Sequence, residues 1–498
     1  MRVLFVTPEY EGLVKVGGLS DFSAAFTQQM RKEGQDVRVV MPYYGKLQGT
    51  LKIERSIPLE VQLSCWQSFH CLAHEVAYKG VLLYLIEYQA LYGREGIYDD
   101  ASGAYGDNPL RFALLSHAAF DLAIALAWQP DILHCSDWQG ALVPFYRREH
   151  FAHEPLFART RTVLTIHNGA YQGRFDGGWH QALGIHPKFM VPQLFEDMGC
   201  INLLKVGVSL ADSIVTVSPS YRDELMTNER GHGLAPVFCQ RRDDFSGVLN
   251  GVDLSEWDPS KDSALPANYS KGDMSGKRLC KQALLERLGW STDHDLPLFC
   301  SIGRVAQQKG FSLMLPAIEP LLASGILRCV VMGHGEPDYV EQLNRLAAMY
   351  PQHFCYLSDF SRDGTHSVMA ASDYLLMPSL FEPCGLSQLY AMRFGTVPVV
   401  HAVGGLKDSI AGLDSITSNR AWATGYQFSE ADSDVLKELL ALVVHHYHYD
   451  EMLLQLLRRN GMSIDLDWQR VVDAYLKLYQ SLCIAVHQAG PMQPLKLA

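Results

Sequence analysis

One phrase stands twice in this chain. Val16-Gly17-Gly18-Leu19-Ser20-Asp21 near the start returns as Val403-Gly404-Gly405-Leu406-Lys407-Asp408 near the end. Each follows an apolar, strand-like run and opens a helix-like segment. Paired glycines there let the backbone approach a ligand and turn its N–H groups toward it, which suits an anion at a helix start. Lys15 places a point charge beside the first pair. A second basic loop, Gly303-Arg304-Val305-Ala306-Gln307-Gln308-Lys309-Gly310, follows another apolar run. Arginine offers a planar fork and lysine a compact charge, a combination that grips a diphosphate. A surface lysine by a tight turn has the same letters, so the doubling of the phrase is what gives it weight.

Other polar residues fall just after strand-like runs, where open α/β sheets bind their ligands. Ser136, Asp137 and Trp138 follow Asp131–Cys135, and His167, Asn168 and Tyr171 follow Thr162–Ile166. A carboxylate, an imidazole and an aromatic at neighbouring strand ends could line a sugar pocket; singly, each is more often structural, a capping Asp, a satisfied His or a packed Trp. Tyr374–Met377 leads into Pro378-Ser379-Leu380-Phe381-Glu382-Pro383-Cys384-Gly385. Pro383 suits a first helical turn, so Glu382 is expected at a helix start, aimed at the ligand. Cys384 reads as a packed neighbour of that site, not a nucleophile. No G-x-G-x-x-G, Walker A sequence, Ser/His/Asp triad or two-His metal spacing stands out. Asp243-Asp244 reads as a loop and Asp465-Leu466-Asp467 as a helix start, so no metal site is expected.

The elements that position these residues alternate. Val3–Thr7 is a continuous apolar run, as buried parallel strands are. A helix with Phe22, Ala25, Phe26 and Met30 on one face follows, with Ser20 as its expected cap. Strands are expected at Asp36–Met41, Asp131–Cys135, Thr162–Ile166 and Ser213–Val217. A second series runs through Leu298–Ile302, Leu327–Met332, Phe354–Tyr356, Tyr374–Met377 and Val397–His401, with helices such as Leu313–Ala323 and Tyr339–Tyr350 between. This pattern implies doubly wound parallel sheets. The expectation is an α/β chain of two Rossmann-like domains facing a deep cleft, 1–246 and 247–466. A last helix, about 467–488, would be free to return to the first domain.

The chain has 498 residues, 48% apolar and 19% charged, which is long enough for two cores. Its formal charge of −12 disfavours nucleic acid or an anionic membrane as partner. An anionic substrate then needs a local basic cluster. Eleven cysteines, an odd number with no C-x-x-C, fit a reducing compartment. The apolar run Phe112 to Trp128 is broken by His117 and Asp121 and reads as a buried helix. No signal h-region follows Met1, and a cytoplasmic protein is expected.

The set Lys15-Val16-Gly17-Gly18-Leu19, His134-Cys135-Ser136-Asp137-Trp138, Thr165-Ile166-His167-Asn168, Val217-Ser218-Pro219-Ser220-Tyr221, Leu249-Asn250-Gly251-Val252-Asp253, Phe381-Glu382-Pro383-Cys384-Gly385-Leu386 and Val403-Gly404-Gly405-Leu406 resembles the bacterial glycogen synthase and plant starch synthase family. The resemblance spans nearly the whole chain. It implies the two-domain glycosyltransferase architecture called GT-B. It also implies retaining transfer of glucose from ADP-glucose to the non-reducing end of an α-1,4-glucan, with no cofactor and no metal. By the same resemblance, Lys15, Gly17 and Gly18 meet the ADP-glucose phosphates from one domain and Arg304 and Lys309 from the other. Asp137 and His167 match positions near the transferred glucose. Glu382, with Gly385 and Leu386 beside it, matches the active-site glutamate, and Gly404 and Gly405 would add backbone donors.

Two positions depart from the family's common pattern. Val16 stands where threonine is commonest, as in certain plant starch synthase classes. Tyr390 stands eight residues after Glu382, where the wider superfamily often has a second glutamate, so this helix gives no two-carboxylate mechanism. Two other readings stay open on the sequence: a related transferase using UDP-glucose, and a catalytically silent glucan-binding protein.

Overall fold

A computed structural model describes residues 1–292, 295–359, 361–413 and 419–489, with side chains in the last helix through 485. The chain divides into two compact units. The first holds Met1–Val217, Arg222–Val248 and the segment from Trp468 onward; the second holds Ser218–Tyr221 and Leu249–Asp467.

The first unit is built on a nine-stranded sheet. Its order is Phe245–Gly247, Ser213–Thr216, Arg161–Ile166, Ile132–Ser136, Arg2–Val6, Asp36–Pro42, Val81–Glu87, Gln67–Tyr78 and Arg55–Ser64. The first seven run parallel, and the last two are added antiparallel as a hairpin. The parallel strands are apolar throughout because both faces are covered. Val3, Leu4, Phe5 and Val6 are fully buried. The hairpin alternates instead, with Leu59, Val61 and Leu63 inward and Pro58, Glu60 and Gln62 outward, as a half-exposed edge should.

The helix Gly18–Lys32 follows the first strand. Its N-cap is Gly17, not Ser20. Ser20 lies inside the first turn, where its hydroxyl donates to the Gly17 carbonyl at 2.7 Å. The last helix, Trp468–Ala489, completes the core of this unit. Tyr475 packs against Phe26 at 4.8 Å between ring centres and meets the Thr165 hydroxyl at 3.0 Å. Tyr479 hydrogen-bonds Nδ1 of the buried His134 at 2.6 Å, and Thr165 meets the other ring nitrogen at 2.7 Å. A buried imidazole is costly unless both nitrogens are paired, and this helix supplies one of the pairs.

The second unit has a six-stranded, all-parallel sheet. Its order is Phe354–Leu357, Arg328–Met332, Leu298–Ile302, Tyr374–Met377, Val397–His401 and Tyr426–Phe428. Apolar clusters cover both faces. The strand order reverses direction around Leu298–Ile302, whose neighbours come from later in the chain on both sides. In the first unit the same reversal occurs around Arg2–Val6. Such switch points open a crevice at the carboxyl ends of the strands.

Replacing Tyr475, 1% exposed, by alanine removes a ring from the first unit's core. The expected loss is about 3–5 kcal/mol, as for other buried aromatics. Urea denaturation followed by tryptophan fluorescence checks it; a change below about 0.5 kcal/mol, the size of a surface substitution, would contradict the packing role given to the last helix.

Candidate active site

In the first unit, the loop after Arg2–Val6 carries Glu9, Lys15 and Gly17 and leads into Gly18 at the helix start, and Asp137 opens a short helix directly after the adjacent strand Ile132–Ser136. Glu9 is 3% exposed. Its carboxylate accepts the Val16 N–H at 2.6 Å, the Gly17 N–H at 3.2 Å and the Tyr98 hydroxyl at 2.6 Å. Burial raises its pKa, and these three donors oppose the rise. The glycine loop is therefore held from below by an internal carboxylate. The Gly17 N–H, expected to face a phosphate, is turned to Glu9 instead. Around Gly17 itself a side chain would meet nothing within 4 Å, so no packing of the protein's own demands glycine there.

Lys15 is half-exposed, with its ammonium 2.6 Å from Asp21 and 3.1 Å from Glu11. Burial alone would lower its pKa, but the two carboxylates outweigh it and the pKa is raised. Lys15 stays cationic and is held at the helix start.

Asp137 is nearly buried and sits at φ 48, in the left-handed region that non-glycine residues rarely adopt. Strain of this kind persists where surrounding contacts over-determine it. Here Oδ1 accepts the His167 N–H at 2.7 Å and the Asn168 N–H at 3.4 Å. Burial pushes the carboxyl from 3.8 up to about 7, and the nearby Glu9 adds to the rise. His167 follows the neighbouring strand Arg161–Ile166. Burial lowers its pKa to about 3, so the ring is neutral. The ring stands edge-on to Phe22, centres 4.8 Å apart, and its Nε2 is sealed from water without a hydrogen-bond partner among the described residues. An orphaned buried nitrogen of this kind calls for a partner from outside the chain. Asp137 thus positions the loop that carries His167.

In the second unit, the loops after the neighbouring strands Leu298–Ile302 and Tyr374–Met377 meet. Lys309 Nζ lies 2.6 Å from Glu382 Oε2, and Ser379 donates to the same oxygen at 3.0 Å. Glu382 is 6% exposed, and its Oε1 makes no hydrogen bond among the described residues. Arg304 is exposed and donates to the Gln308 side chain at 3.1 Å. Gln308 stitches the two loops together: its carbonyl accepts the Leu380 N–H at 2.9 Å, and its side chain donates to the Phe381 carbonyl at 3.2 Å. Gly310, at φ 73, lets the first loop lie against Pro378; a Cβ there would stand 1.9 Å from the Pro378 carbonyl oxygen.

Glu382 is not at a helix start. The helix begins at Ser387, and Pro383 to Leu386 form a non-helical loop in which Gly385 takes φ 70. Gln388 holds that loop by donating to the Cys384 and Gly385 carbonyls, both at 3.0 Å. Gly404 opens a six-residue helix, Gly404–Ser409. The Gly405 N–H donates to the Glu382 carbonyl at 3.0 Å, so it is not open to a ligand as the motif implies. A Cβ on Gly405 would fall 2.0 Å from the Cys384 carbonyl oxygen, so this glycine serves close packing beneath Glu382. The Ser218 hydroxyl adds a hold on the same loop, donating to the Pro383 carbonyl at 2.6 Å. Tyr390 stacks on Trp257, ring centres 3.6 Å apart and planes at 1°, and its place is in packing.

The structure brings together Lys309 and Glu382, and, separately, Glu9 with the Lys15–Gly17 loop and Asp137 with His167. Tyr98, Ser379 and Gln308 were not singled out from the sequence. Ser379 and Gln308 lie within the two named loops, but Tyr98 comes from elsewhere in the chain and carries no local signal. Among the described residues, no group of three or more His, Cys, Asp or Glu is placed to hold a metal ion.

Known proteins match this chain along its length. Residues 2–240 match the starch synthase catalytic domain family, and residues 286–455 match glycosyl transferases group 1. The glycogen synthase of Thioalkalivibrio sulfidiphilus is 40% identical over 489 residues, covering 97% of this chain and 100% of that protein. The glycogen synthase of Aeromonas hydrophila is 36% identical over 489 residues, covering 96% and 98%. The catalytic domain of starch synthase IV from Arabidopsis thaliana, solved bound to ADP and acarbose, superposes with a TM-score of 0.87 at 28% identity, covering 97% of this chain and 99% of that one. Sucrose-phosphate synthase from Thermosynechococcus elongatus superposes at 0.59 with 14% identity over 97% and 99%, a likeness of fold alone.

Asp137 gives a pH test. Its folded pKa lies above the unfolded value, so its contribution to stability is intact below about 4 and lost as pH rises through 7. Asp137→Asn keeps an oxygen for the His167 amide and removes the titration. The drop in unfolding free energy between pH 5 and pH 8 should be smaller in the variant, by urea denaturation at both values. An equal drop in both proteins would remove Asp137 as the buried titrating group.

Proposed function

The chain belongs to the glycogen synthase family, and we propose how its own residues carry the reaction. It is a GT-B hexosyltransferase that moves glucose from ADP-glucose to the non-reducing end of an α-1,4-glucan and releases ADP. The observation that carries the residue assignment is the pairing of Lys309 with Glu382 beyond the carboxyl ends of two adjacent strands at the sheet's switch point.

Breaking the glucose–phosphate bond builds positive charge on the anomeric carbon and negative charge on the departing ADP. Stabilising the leaving group is work for preorganised cations. The Lys309 ammonium has one hydrogen bond among the described residues, which leaves two of its three N–H donors for a phosphate oxygen. Glu382 fixes the direction of that ammonium through Oε2 and keeps Oε1 for a substrate hydroxyl. Arg304, exposed at the same loop, adds a planar fork. Within the first unit, Lys15 and Gly18 are assigned to phosphate binding, with Glu9 setting the shape of their loop. The neutral His167, with Nε2 unpaired, accepts from or donates to the transferred glucose. Gly385 and Leu386 line the donor beside Glu382, and Gly404 opens the short helix that packs beneath it. The stereochemical course assigned is front-face substitution with retention, the departing phosphate and the incoming hydroxyl sharing one side of the sugar.

The eleven cysteines are all free thiols, which supports a reducing, cytoplasmic setting. Among the described residues, no helix is long and apolar enough to cross a membrane.

Lys309→Ala and Glu382→Gln should each lower kcat by about a hundred- to a thousandfold, the usual cost of one charge-stabilising group, with circular dichroism unchanged. Near-normal turnover in both would refute the assignment. ADP release should be much faster with ADP-glucose than with UDP-glucose, glycogen being the acceptor; a clear UDP-glucose preference would overturn the donor. Activity should survive EDTA, and loss restored by a divalent ion would contradict a leaving group handled by Lys309 and Arg304.

A further inference from the structure

Arg328 opens the strand Arg328–Met332 and is 3% exposed. Its Nε and Nη1 are buried without an acceptor, and the side chain has no ion-pair partner among the described residues. Other buried arginines each leave one nitrogen unmet, Nη2 in Arg111 and Nε in Arg147, but keep protein acceptors for the rest of the guanidinium, whereas Arg328 has none among the described residues. Arg111 donates to the Leu91 and Ile97 carbonyls and to Asn108, and Arg147 donates to the Phe157 carbonyl. Arg328 has a ring instead: its guanidinium carbon lies 5.7 Å from the centre of Trp290. An aromatic face attracts the cation but leaves the in-plane N–H donors unmet. A buried cation without acceptors is costly to keep, and burial lowers its pKa accordingly.

The same arginine lines an open depression of about 630 Å³. Ser291, Gly325, Gln352, His353 and Asp295 share its walls. The depression lies at the amino ends of Leu298–Ile302, Arg328–Met332 and Phe354–Leu357, the end of the sheet opposite the loop that carries Arg304 and Lys309. It is therefore separate from the donor machinery. Among the described residues, the carboxylate on the wall is Asp295, which already accepts from the Tyr447 hydroxyl at 2.6 Å and lies 3.4 Å from Lys281, so it does not answer Arg328. His353 holds the Leu327 carbonyl with Nδ1 at 3.1 Å, which leaves Nε2 for another partner.

We propose that this depression is a second, non-catalytic site for a small phosphate ester. Arg328 meets the phosphate; Ser291, Gln352 and His353 meet the hydroxyls of the esterified body. An ester is favoured over a bare ion because the wall adds hydrogen-bonding groups, Gln352 and His353, beside Arg328, in a depression of ample size. Clefts of about 300–1,000 Å³ hold whole small molecules.

The test is isothermal titration of the full chain, saturated with ADP so that the donor site is filled. The probes are fructose 6-phosphate and inorganic phosphate. One binding event per chain is expected, with the ester about tenfold tighter than inorganic phosphate, a difference of about 1.4 kcal/mol. Arg328→Met should abolish it. Gln352→Glu, at an exposed wall position, should weaken it at least about tenfold by placing a carboxylate beside the anion. ADP affinity should be unchanged in both, showing that the fold is intact. If Arg328→Met does not fold, Gln352→Glu decides alone. Absence of binding by either probe, or equal binding in the variants, overturns the proposal; inorganic phosphate binding as tightly as the ester overturns its ester part.

Discussion

Strands of a parallel sheet end on the same side, so the loops that follow neighbouring strands must share one space. Everything the second unit offers to chemistry depends on that constraint. Leu298–Ile302 and Tyr374–Met377 are far apart in sequence and adjacent in the sheet. Their following loops are thereby pressed together, and Lys309 reaches Glu382 across 2.6 Å. Gln308 then ties the loops with two hydrogen bonds, and Gly310 removes the one Cβ that would keep them apart. The ion pair is a consequence of strand order before it is a feature of catalysis.

The first unit solves a related problem with buried carboxylates. Glu9 and Asp137 each give up water in order to accept backbone N–H groups of functional loops. Burial raises both pKa values, so neither acid is there at no cost. A backbone loop pinned by a carboxylate has little freedom, which suits a site that must present donors to developing charge without reorganising. Asp137 adds a left-handed backbone, a second sign that loop geometry there is enforced by its surroundings.

Much of the fold could be read from the chain. Continuous apolar runs such as Val3–Thr7 and Leu298–Ile302 mark parallel strands because both their faces are covered. The hairpin Arg55–Ser64 and Gln67–Tyr78 was harder to read, since at the sheet edge roughly every second residue is apolar and no long apolar run marks it. Tyr426–Phe428 is only three residues long, too short for any periodicity. In the site, Lys15, Arg304, Lys309 and Glu382 announce themselves by charge beside strand ends. The direction of backbone N–H groups does not appear in residue letters. Gly17 and Gly405 both belong to the repeated glycine pair, yet one donates to a buried side-chain carboxylate and the other to a main-chain carbonyl. Pro383 fits a first helical turn by propensity, but loop packing beneath Glu382 postpones the helix to Ser387.

The amino-acid sequence by itself determined the alternation of strands and helices, the basic and acidic residues at strand ends, and the family. Those follow from local periodicity and from residue chemistry, which are properties of short stretches. Tertiary structure decided which stretches become neighbours. It set Lys309 against Glu382, turned the Gly17 amide to Glu9, and brought Tyr475 and Tyr479 of the last helix onto Thr165 and His134. It also left Arg328 buried over Trp290 with no acceptor. Apart from Gly17 and Glu9, eight positions apart, these pairings join residues tens to hundreds of positions apart, and burial makes each one obligatory only after the sheets have closed around it.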